Sequence, residues 1–428
     1  MRAKPTILAC WACVLLTLLT AMLMASSAGA QTVAITGGKV FPVSGPSIDN
    51  ATVLMVDGKI AAVGASVVIP AGATRIDARG HWVTPGFINA STRLGLVEID
   101  MVNDTNDASA KGDRQVSAAF RSWEGLNPAS VLWAPARNDG ITSVVSVPGG
   151  GLIAGQAALV DTAEGERQAM VRKAPVAMIV NFGEPSAGGT QARGELLLRL
   201  RELLDDARTF TDRRDAFENA GTRAFAVGRV HLEALADVLA GKMPVLAQAD
   251  RATDIEAALD LAAEFKFRLI IHGGAEAWQV ADRLAKAHVP VLTGALGNIP
   301  SSFASLGSRQ ENAAILRKAG VPLVLIADQG DTFRARTIRQ HAGNAVAYGL
   351  PWDEALRAVT LAPAEAFGVA DTIGSLQVGR DANVVVWDGD PFEFATHATH
   401  VFVRGRDTRT PSREDLLTER YKKRGGLE

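Results

Sequence analysis

After Cys13 the chain of 428 residues contains no cysteine, and Cys10 and Cys13 are the only two in the sequence. Everything beyond residue 13 is therefore without disulfide bonds and without thiolate ligands for a metal ion. It also lacks a cysteine nucleophile. Stability and any catalysis have to come from packing, hydrogen bonds, carboxylates, imidazoles and hydroxyls.

The sequence also lacks a block of basic residues. Its formal net charge is −2 and its pI is about 6.4. Proteins that bind nucleic acid usually carry a basic surface, so a nucleic-acid partner is not expected. Because 47% of the residues are hydrophobic, the chain can bury a large core and is not disordered by composition.

Long apolar runs are confined to the first 30 residues, "MRAKPTILACWACVLLTLLTAMLMASSAGA". Arg2 and Lys4 precede the apolar run, and small residues follow it up to Ala30, which is the layout of a secretory signal cleaved before Gln31. The alternative is an uncleaved membrane anchor. Cleavage would leave a thiol-free chain with a net charge of about −4. We expect an exported protein, periplasmic or extracellular, with no stable membrane span after signal removal.

Both ends of the remaining sequence look rich in short strands. β-branched residues alternate with Gly, Asp and Pro in "VAITGGKVFPV" and again in "GRDANVVVWDGDP". The Asp-Gly pair in "VDGK" indicates a tight hairpin. We therefore predict one small β-sandwich domain built from both chain ends, residues 31–84 and 371–408, followed by a charged C-terminal tail at 409–428.

The middle of the chain alternates helices and strands. "HLEALADVLAGK" has a helical pattern and "MPVLAQAD" that of a buried strand, and similar pairs follow up to "VPLVLIADQGD". Alternation of this kind is typical of a parallel sheet with helices around it. The number of units favours an α/β fold of the (β/α)8 TIM-like barrel type over residues 85–370.

In such a barrel the chemistry is carried by the ends of strands and the loops that follow them. Gln248 and His272 end two successive predicted strands, 24 residues apart. The polar candidates at predicted strand ends are Ser91, Arg93, Glu184, Gln248, His272 and Asp328.

Several stretches together resemble the amidohydrolase superfamily, particularly its imidazolonepropionase-related branch. "WVTPGFINASTRLG" is similar to the first-strand signature, in which Pro-Gly-Phe-Ile precedes Asp-Ala-His-Thr-His. "ALRAVTLAPAEAFGVADTIGSLQVG" and "GRDANVVVWDGDP" are similar to the closing helix and the terminal β-domain signature. The resemblance covers nearly the whole exported chain and agrees with the barrel prediction.

The resemblance implies hydrolysis of C–N bonds with the help of divalent metal, usually zinc, which activates a bound water. By position, Asp328 corresponds to the aspartate that acts as base. His272 and Glu184 correspond to metal ligands on two other strands.

Four positions depart from the family pattern. Asn89 replaces the aspartate of the first-strand signature, Ser91 and Arg93 replace its two histidines, and Gln248 replaces the histidine of the fifth strand. Serine and glutamine are poor zinc ligands, and arginine does not lose its proton. We therefore expect one metal ion at most. As a hypothesis, Arg93 replaces the missing cation and pairs with Asp328 or Glu184.

Each remaining candidate also has a structural interpretation. Asp328 can cap the loop in "DQGDTFRAR", because aspartate is common in turns. His272 can be a hydrogen-bonded core histidine, and Glu184 a solvated loop acid.

Two functions follow from these patterns. The first is an exported hydrolase of amide or peptide-like C–N bonds whose activity is weakened by the replaced ligands. The alternative is a non-catalytic pseudoenzyme that serves as a scaffold for a ligand or partner. The partners expected are a small amide-type molecule and, for the scaffold, a homo- or hetero-oligomer with a related amidohydrolase.

Overall fold

The structure is a computed structural model that describes residues 31–110, 116–183, 192–327 and 332–425. The predicted signal segment, residues 1–30, lies outside these ranges. In the part of the chain that is described, no helix combines the length and apolar character needed to cross a bilayer.

The sixteen described strands are β1 (Thr32–Val40), β2 (Ile48–Val56), β3 (Lys59–Gly64), β4 (Thr74–Asp77), β5 (Trp82–Pro85), β6 (Phe87–Thr92), β7 (Ile141–Ser146), β8 (Ile153–Asp161), β9 (Val171–Asn181), β10 (Val245–Ala249), β11 (Leu269–Gly273), β12 (Val291–Thr293), β13 (Leu323–Leu325), β14 (Val384–Trp387), β15 (Ala398–Val403) and β16 (Arg406–Asp407). The α-helices in the described ranges are α1 (Trp133–Asn138), α2 (Arg167–Met170), α3 (Arg193–Asp212), α4 (Arg214–Glu218), α5 (Arg229–Leu239), α6 (Ala252–Phe265), α7 (Ala281–Lys286), α8 (Asn312–Lys318), α9 (Ile338–Ala347), α10 (Trp352–Ala358), α11 (Leu361–Ala366) and α12 (Arg413–Gly425).

Strands from both chain ends share one eight-stranded sheet. Its order is β16-β15-β14-β5-β1-β2-β3, and β4 also pairs with β1. The link between the two ends is the antiparallel pairing of β5 with β14. Asp57 and Gly58 turn the chain between β2 and β3, both with positive φ (49° and 76°), as the mirror-type hairpin turn requires. The C-terminal tail that follows this sheet contains the helix α12.

The second sheet has eight strands in sequence order, β6 to β13, and forms a nearly closed barrel. The five strands β9 to β13 pair in parallel with one another, and β6 pairs in parallel with β7. Amphipathic helices connect these strands, so the predicted α/β barrel is confirmed. One strand differs from the prediction: β8 runs antiparallel to both β7 and β9.

Two apolar layers hold the barrel together. One cluster takes residues from all eight barrel strands, among them Ile88, Ile270 and Leu292, and fills the interior. The alternate strand residues, such as Val245 and Ile271, pack outward against the helices. This alternation follows from the two-residue period of a strand, because successive side chains point to opposite faces.

An ionic network joins the barrel to the terminal sheet. Asp161, 1% exposed, accepts two hydrogen bonds of 2.9 Å from Arg172 and lies 2.6 Å from Nη2 of Arg404. Arg172 also contacts Asp381 at 2.5 Å, and Lys59 reaches the same carboxylate at 2.5 Å. Burial alone would raise the pKa of Asp381, but the hydrogen bonds from Lys59 and Arg172 lower it below its ordinary value.

Candidate active site

The polar candidates from β6, β10 and β11 meet at one end of the barrel interior. Ser91 is near the end of β6, Gln248 near the end of β10 and His272 near the end of β11. Ile88, Leu246 and Ile270, earlier on the same strands, belong to the apolar interior. The polar groups therefore lie above that layer, at the carboxyl ends of the strands, where barrels of this type carry their chemistry.

Ser91 and His272 are in direct contact. Oγ of Ser91 lies 2.7 Å from Nε2 of His272, and the two residues are 3% and 2% exposed. Since β6 and β11 are not neighbours in the sheet, this hydrogen bond crosses the barrel interior. The sequence predicted both residues as site positions but could not predict that they bond to each other.

The direction of the Ser91 side chain depends on an irregularity in the strand. Ile88 and Ala90 already face the barrel interior, so strict alternation would send Ser91 outward. However, the ladder between β6 and β7 shifts register between Asn89 and Thr92. A shift of this kind re-aims side chains, and here it brings Ser91 to the inside.

A second polar row crosses the strands beside His272. Gln248 is the register partner of His272 on one side and of Asn181 on the other. In parallel strands such partners project on the same face, so the three side chains form one row. Asn181, at the end of β9, was not among the site residues predicted from the sequence, although its place at the end of an apolar run could have indicated it.

Arg93 approaches the same region with its guanidinium against Gly149. A Cβ atom added to Gly149 would collide with the end of the Arg93 side chain. Glycine at this position therefore makes room for the arginine, which explains part of the glycine-rich stretch "VPGGG". Within the described residues, no carboxylate forms an ion pair with Arg93.

The imidazole of His272 is held in its neutral form. Burial, and after it the positive charge of Arg93, lowers the pKa of His272 from 6.5 to about 4. The buried Nδ1 has no hydrogen-bond partner within the described ranges. At neutral pH the ring is uncharged, with Nε2 bonded to the Ser91 hydroxyl.

This depressed pKa predicts a pH dependence of stability. In the unfolded chain His272 binds a proton below about pH 6.5, whereas the folded chain resists protonation down to about pH 4. The unfolded state therefore binds more protons in this window, and the free energy of unfolding falls as the pH drops from 6.5 to 4, by about 3 kcal/mol.

Urea denaturation of the native chain and of the variant H272Q at pH 7, 5.5 and 4 measures this effect. We expect the curve for H272Q to be flatter, because its amide can still bond Ser91 and does not titrate. Parallel curves for the two proteins would contradict the burial of a neutral His272.

The described residues do not form a site for a metal ion. In residues 31–110, 116–183, 192–327 and 332–425, no three His, Cys, Asp or Glu side chains are grouped closely enough to bind one. The donors beside His272 are a hydroxyl and a carboxamide, and Nε2 of the imidazole is already bonded to Ser91. A hydroxyl, an amide and a nearby guanidinium do not match the ligand preferences of zinc.

The other predicted positions have different outcomes. Glu184 and Asp328 lie outside the described residues, so the predicted pairing of Arg93 with either of them stays a prediction. Asn89 is fully buried and donates to the carbonyl of Ala335 at 3.2 Å, a bond that ties β6 to the segment after β13. It therefore has a structural contact of its own.

A buried histidine outside the barrel interior also contacts a strand end. His341, on α9, accepts a hydrogen bond of 2.8 Å from the backbone N–H of Ala295, just after β12. Its position is that of a core residue that fixes the loop after β12.

An apolar rim of exposed side chains lies along one part of this end of the barrel. The loops after β12, β13 and β6, three strands that follow one another around the barrel, carry many of the exposed large apolar side chains of the described residues. These are Ile99, Met101, Val102, Leu296, Ile299, Phe303, Leu306 and Phe333. Thr332 bonds Asp100 at 3.3 Å, which brings two of the loops together. Apolar patches of this kind mark sites of interaction.

Chemically, Ser91 and His272 resemble a nucleophile and its base, but the third residue that usually orients the base is missing among the described residues. A serine hydroxyl bonded to a neutral imidazole can lose its proton as it attacks a carbonyl carbon. With a pKa near 4, however, His272 is a weak base, and no carboxylate among the described residues orients its Nδ1. A pair of this kind can support slow acyl transfer at most.

Comparisons with known proteins agree with the fold and the resemblance. The Amidohydrolase family model matches residues 275–410. That match begins after His272, so it includes none of the replaced positions at 89, 91, 93 and 248. An amidohydrolase from Thermotoga maritima has a TM-score of 0.80 and 27% identity, covering 88% of this chain and 99% of that protein.

Curated relatives extend the likeness. Amidohydrolase tasK of Hapsidospora irregularis is 25% identical over 84% of this chain, and imidazolonepropionase of Shewanella putrefaciens is 36% identical over 21% of it. The chain spans only 39% and 23% of the lengths of these relatives. The structure of molinate hydrolase, with a TM-score of 0.56 and 19% identity, shares the fold.

Proposed function

Because the chain belongs to the amidohydrolase superfamily, we propose that it is an exported protein that binds amide-type molecules at the barrel mouth and hydrolyses their C–N bonds weakly. The observation that carries the proposal is the hydrogen bond of 2.7 Å between Ser91 and His272. It joins a hydroxyl and a neutral imidazole at the carboxyl ends of two barrel strands, where barrels of this type carry their chemistry, although the donor set does not suit a metal pair.

In this proposal Ser91 is the nucleophile. Its Oγ forms a bond to the carbonyl carbon of the amide while its proton passes to Nε2 of His272, and the C–N bond breaks as His272 returns that proton to the leaving nitrogen. Water then hydrolyses the ester and restores Ser91. The guanidinium of Arg93, which lies against Gly149 in the same region, supplies the positive charge that stabilises the negative oxygen in this proposal.

Two features of the site account for weak turnover. The low pKa of His272 reduces its driving force as a base, and its Nδ1 has no orienting partner within the described residues. The role of base that the resemblance gives to Asp328 has no step in this route and stays a prediction. The export of the chain, which its N-terminal segment predicts, is part of the proposal.

Hydrolysis of N-acyl amino acids and dipeptides by the purified chain, with the signal segment removed, tests this function. We expect slow turnover that neither a chelator nor added zinc changes, and a loss of about 100-fold or more in S91A, since a missing nucleophile removes the covalent route. S66A, at an exposed serine just after β3 in the terminal sheet, is the control and should keep its activity. Turnover that requires zinc would contradict the proposal.

The second candidate is a non-catalytic scaffold, favoured by the apolar rim. Eight exposed apolar side chains beside a site with a weak base suit a face that binds a protein, such as a related amidohydrolase with intact ligands. Sedimentation of the chain mixed with such a relative measures complex formation. A complex that F303S and F333S weaken, together with no turnover on any substrate, would favour the scaffold over the hydrolase.

A further inference from the structure

A cavity lies at the opposite end of the barrel from Ser91 and His272. It is a groove of about 730 Å³ between the amino-terminal ends of β10 to β13 and the helices α6, α10 and α11. Its edge is lined by the residue that directly precedes each of these strands: Pro244, Arg268, Pro290 and Pro322. The volume is within the range of small-molecule sites, roughly 300–1,000 Å³.

The floor of the groove is apolar. Leu259, Phe267, Val289 and Val321 line it, all less than 9% exposed as packed residues of the barrel wall. An extended hydrocarbon body placed here would be removed from water on several sides, which favours binding in proportion to the apolar area covered.

The charges around the groove are unequal. Arg317 pairs with Glu354 at 2.7 Å, and Arg357 pairs with Glu365 at 2.7 Å, so both acids of the lining already have partners. Arg268 and His288 also line the groove, and within the described residues neither takes part in an ion pair. The groove therefore offers one arginine and one imidazole to an anionic group.

From this combination we infer a second binding site, independent of the proposed hydrolase site, for a small anionic amphiphile: a carboxylate or similar anion on an apolar chain. The anion is bound by Arg268 and His288, and the chain lies on the apolar floor. Arginine suits this role because its planar guanidinium can form two parallel hydrogen bonds with a carboxylate.

Calorimetric titration of the exported chain with decanoate, below its micelle concentration, tests the inference. We expect saturable binding to one site. R268A should weaken binding about tenfold, because a charge-assisted hydrogen bond is lost, and decanol, which has the same chain without the charge, should bind correspondingly more weakly. Both Arg268 and Ala263 are exposed, so changes there leave the core intact.

Two further variants locate the site. A263W places an indole in the groove and should abolish decanoate binding, whereas R283A removes an arginine that pairs with Glu256 and Asp260 outside the groove and should change nothing. Absence of saturable binding, equal binding of decanol, or unchanged binding by A263W would each overturn the inference. None of these outcomes depends on hydrolysis at the opposite end of the barrel.

Discussion

Replacing Asp161 by alanine is expected to lower the free energy of unfolding by about 3–5 kcal/mol, because it removes one partner of a buried ion pair. Arg172, whose side chain is 9% exposed, would lose both hydrogen bonds that its guanidinium donates to Asp161 and would keep only its ion pair with Asp381. The hydroxyl of Ser143, which donates to Asp161 at 2.9 Å, would also lose its acceptor.

Chemical denaturation of D161A and of D237A separates this effect from the loss of a surface charge. Asp237 pairs with Lys242 at 2.7 Å, but both side chains are well exposed, so its loss should change stability by about 1 kcal/mol or less. If D161A were no less stable than D237A, the network would not be joining the barrel to the terminal sheet as its geometry indicates.

The second large effect is expected from restoring imidazoles to the site. In the double variant S91H/Q248H, two histidines would stand beside His272, one across the barrel interior and one on the neighbouring strand. Three imidazoles are a sufficient protein ligand set for zinc. We expect the affinity for zinc to rise by about 100-fold or more over that of the native chain, since nitrogen ligands replace a hydroxyl and an amide.

Zinc titration against a chromophoric chelator measures this gain, with S91A/Q248A as the matched control that empties the same positions. The triple variant S91H/R93H/Q248H should bind more tightly than the double one, because it also removes a fixed positive charge near the cation. Equal zinc affinity in the native chain and S91H/Q248H would show that the replaced residues are not what limits binding.

Much of the barrel was predictable from the sequence. The hydrophobic periodicity of apolar runs such as "RLIIHGG" and of amphipathic stretches such as "DIEAALDLAAEFK" is enough to identify them as strands and helices. The direction of β8 was not predictable, because Ile153–Asp161 is buried at every position, and a fully buried strand has the same apolar pattern whether it runs parallel or antiparallel.

The site was predictable as a set of strand ends but not as a set of contacts. The positions of Ser91 and His272 followed from the barrel order, whereas their hydrogen bond depends on a register shift in β6 that its residue types do not reveal. The network of Arg172 and Asp381 joins residues 209 positions apart, and no local pattern encodes such a pair. Long-range polar contacts of this kind need the three-dimensional structure.

The most direct test of the account is the zinc content of the native chain. The chain without residues 1–30, loaded with excess zinc and then desalted, is analysed by atomic mass spectrometry, and its hydrolytic activity is measured with and without a chelator. We expect zinc well below one equivalent per chain, because Ser91, Arg93 and Gln248 stand where ligands would be needed. One equivalent of zinc, whose removal by the chelator abolishes turnover, would contradict it.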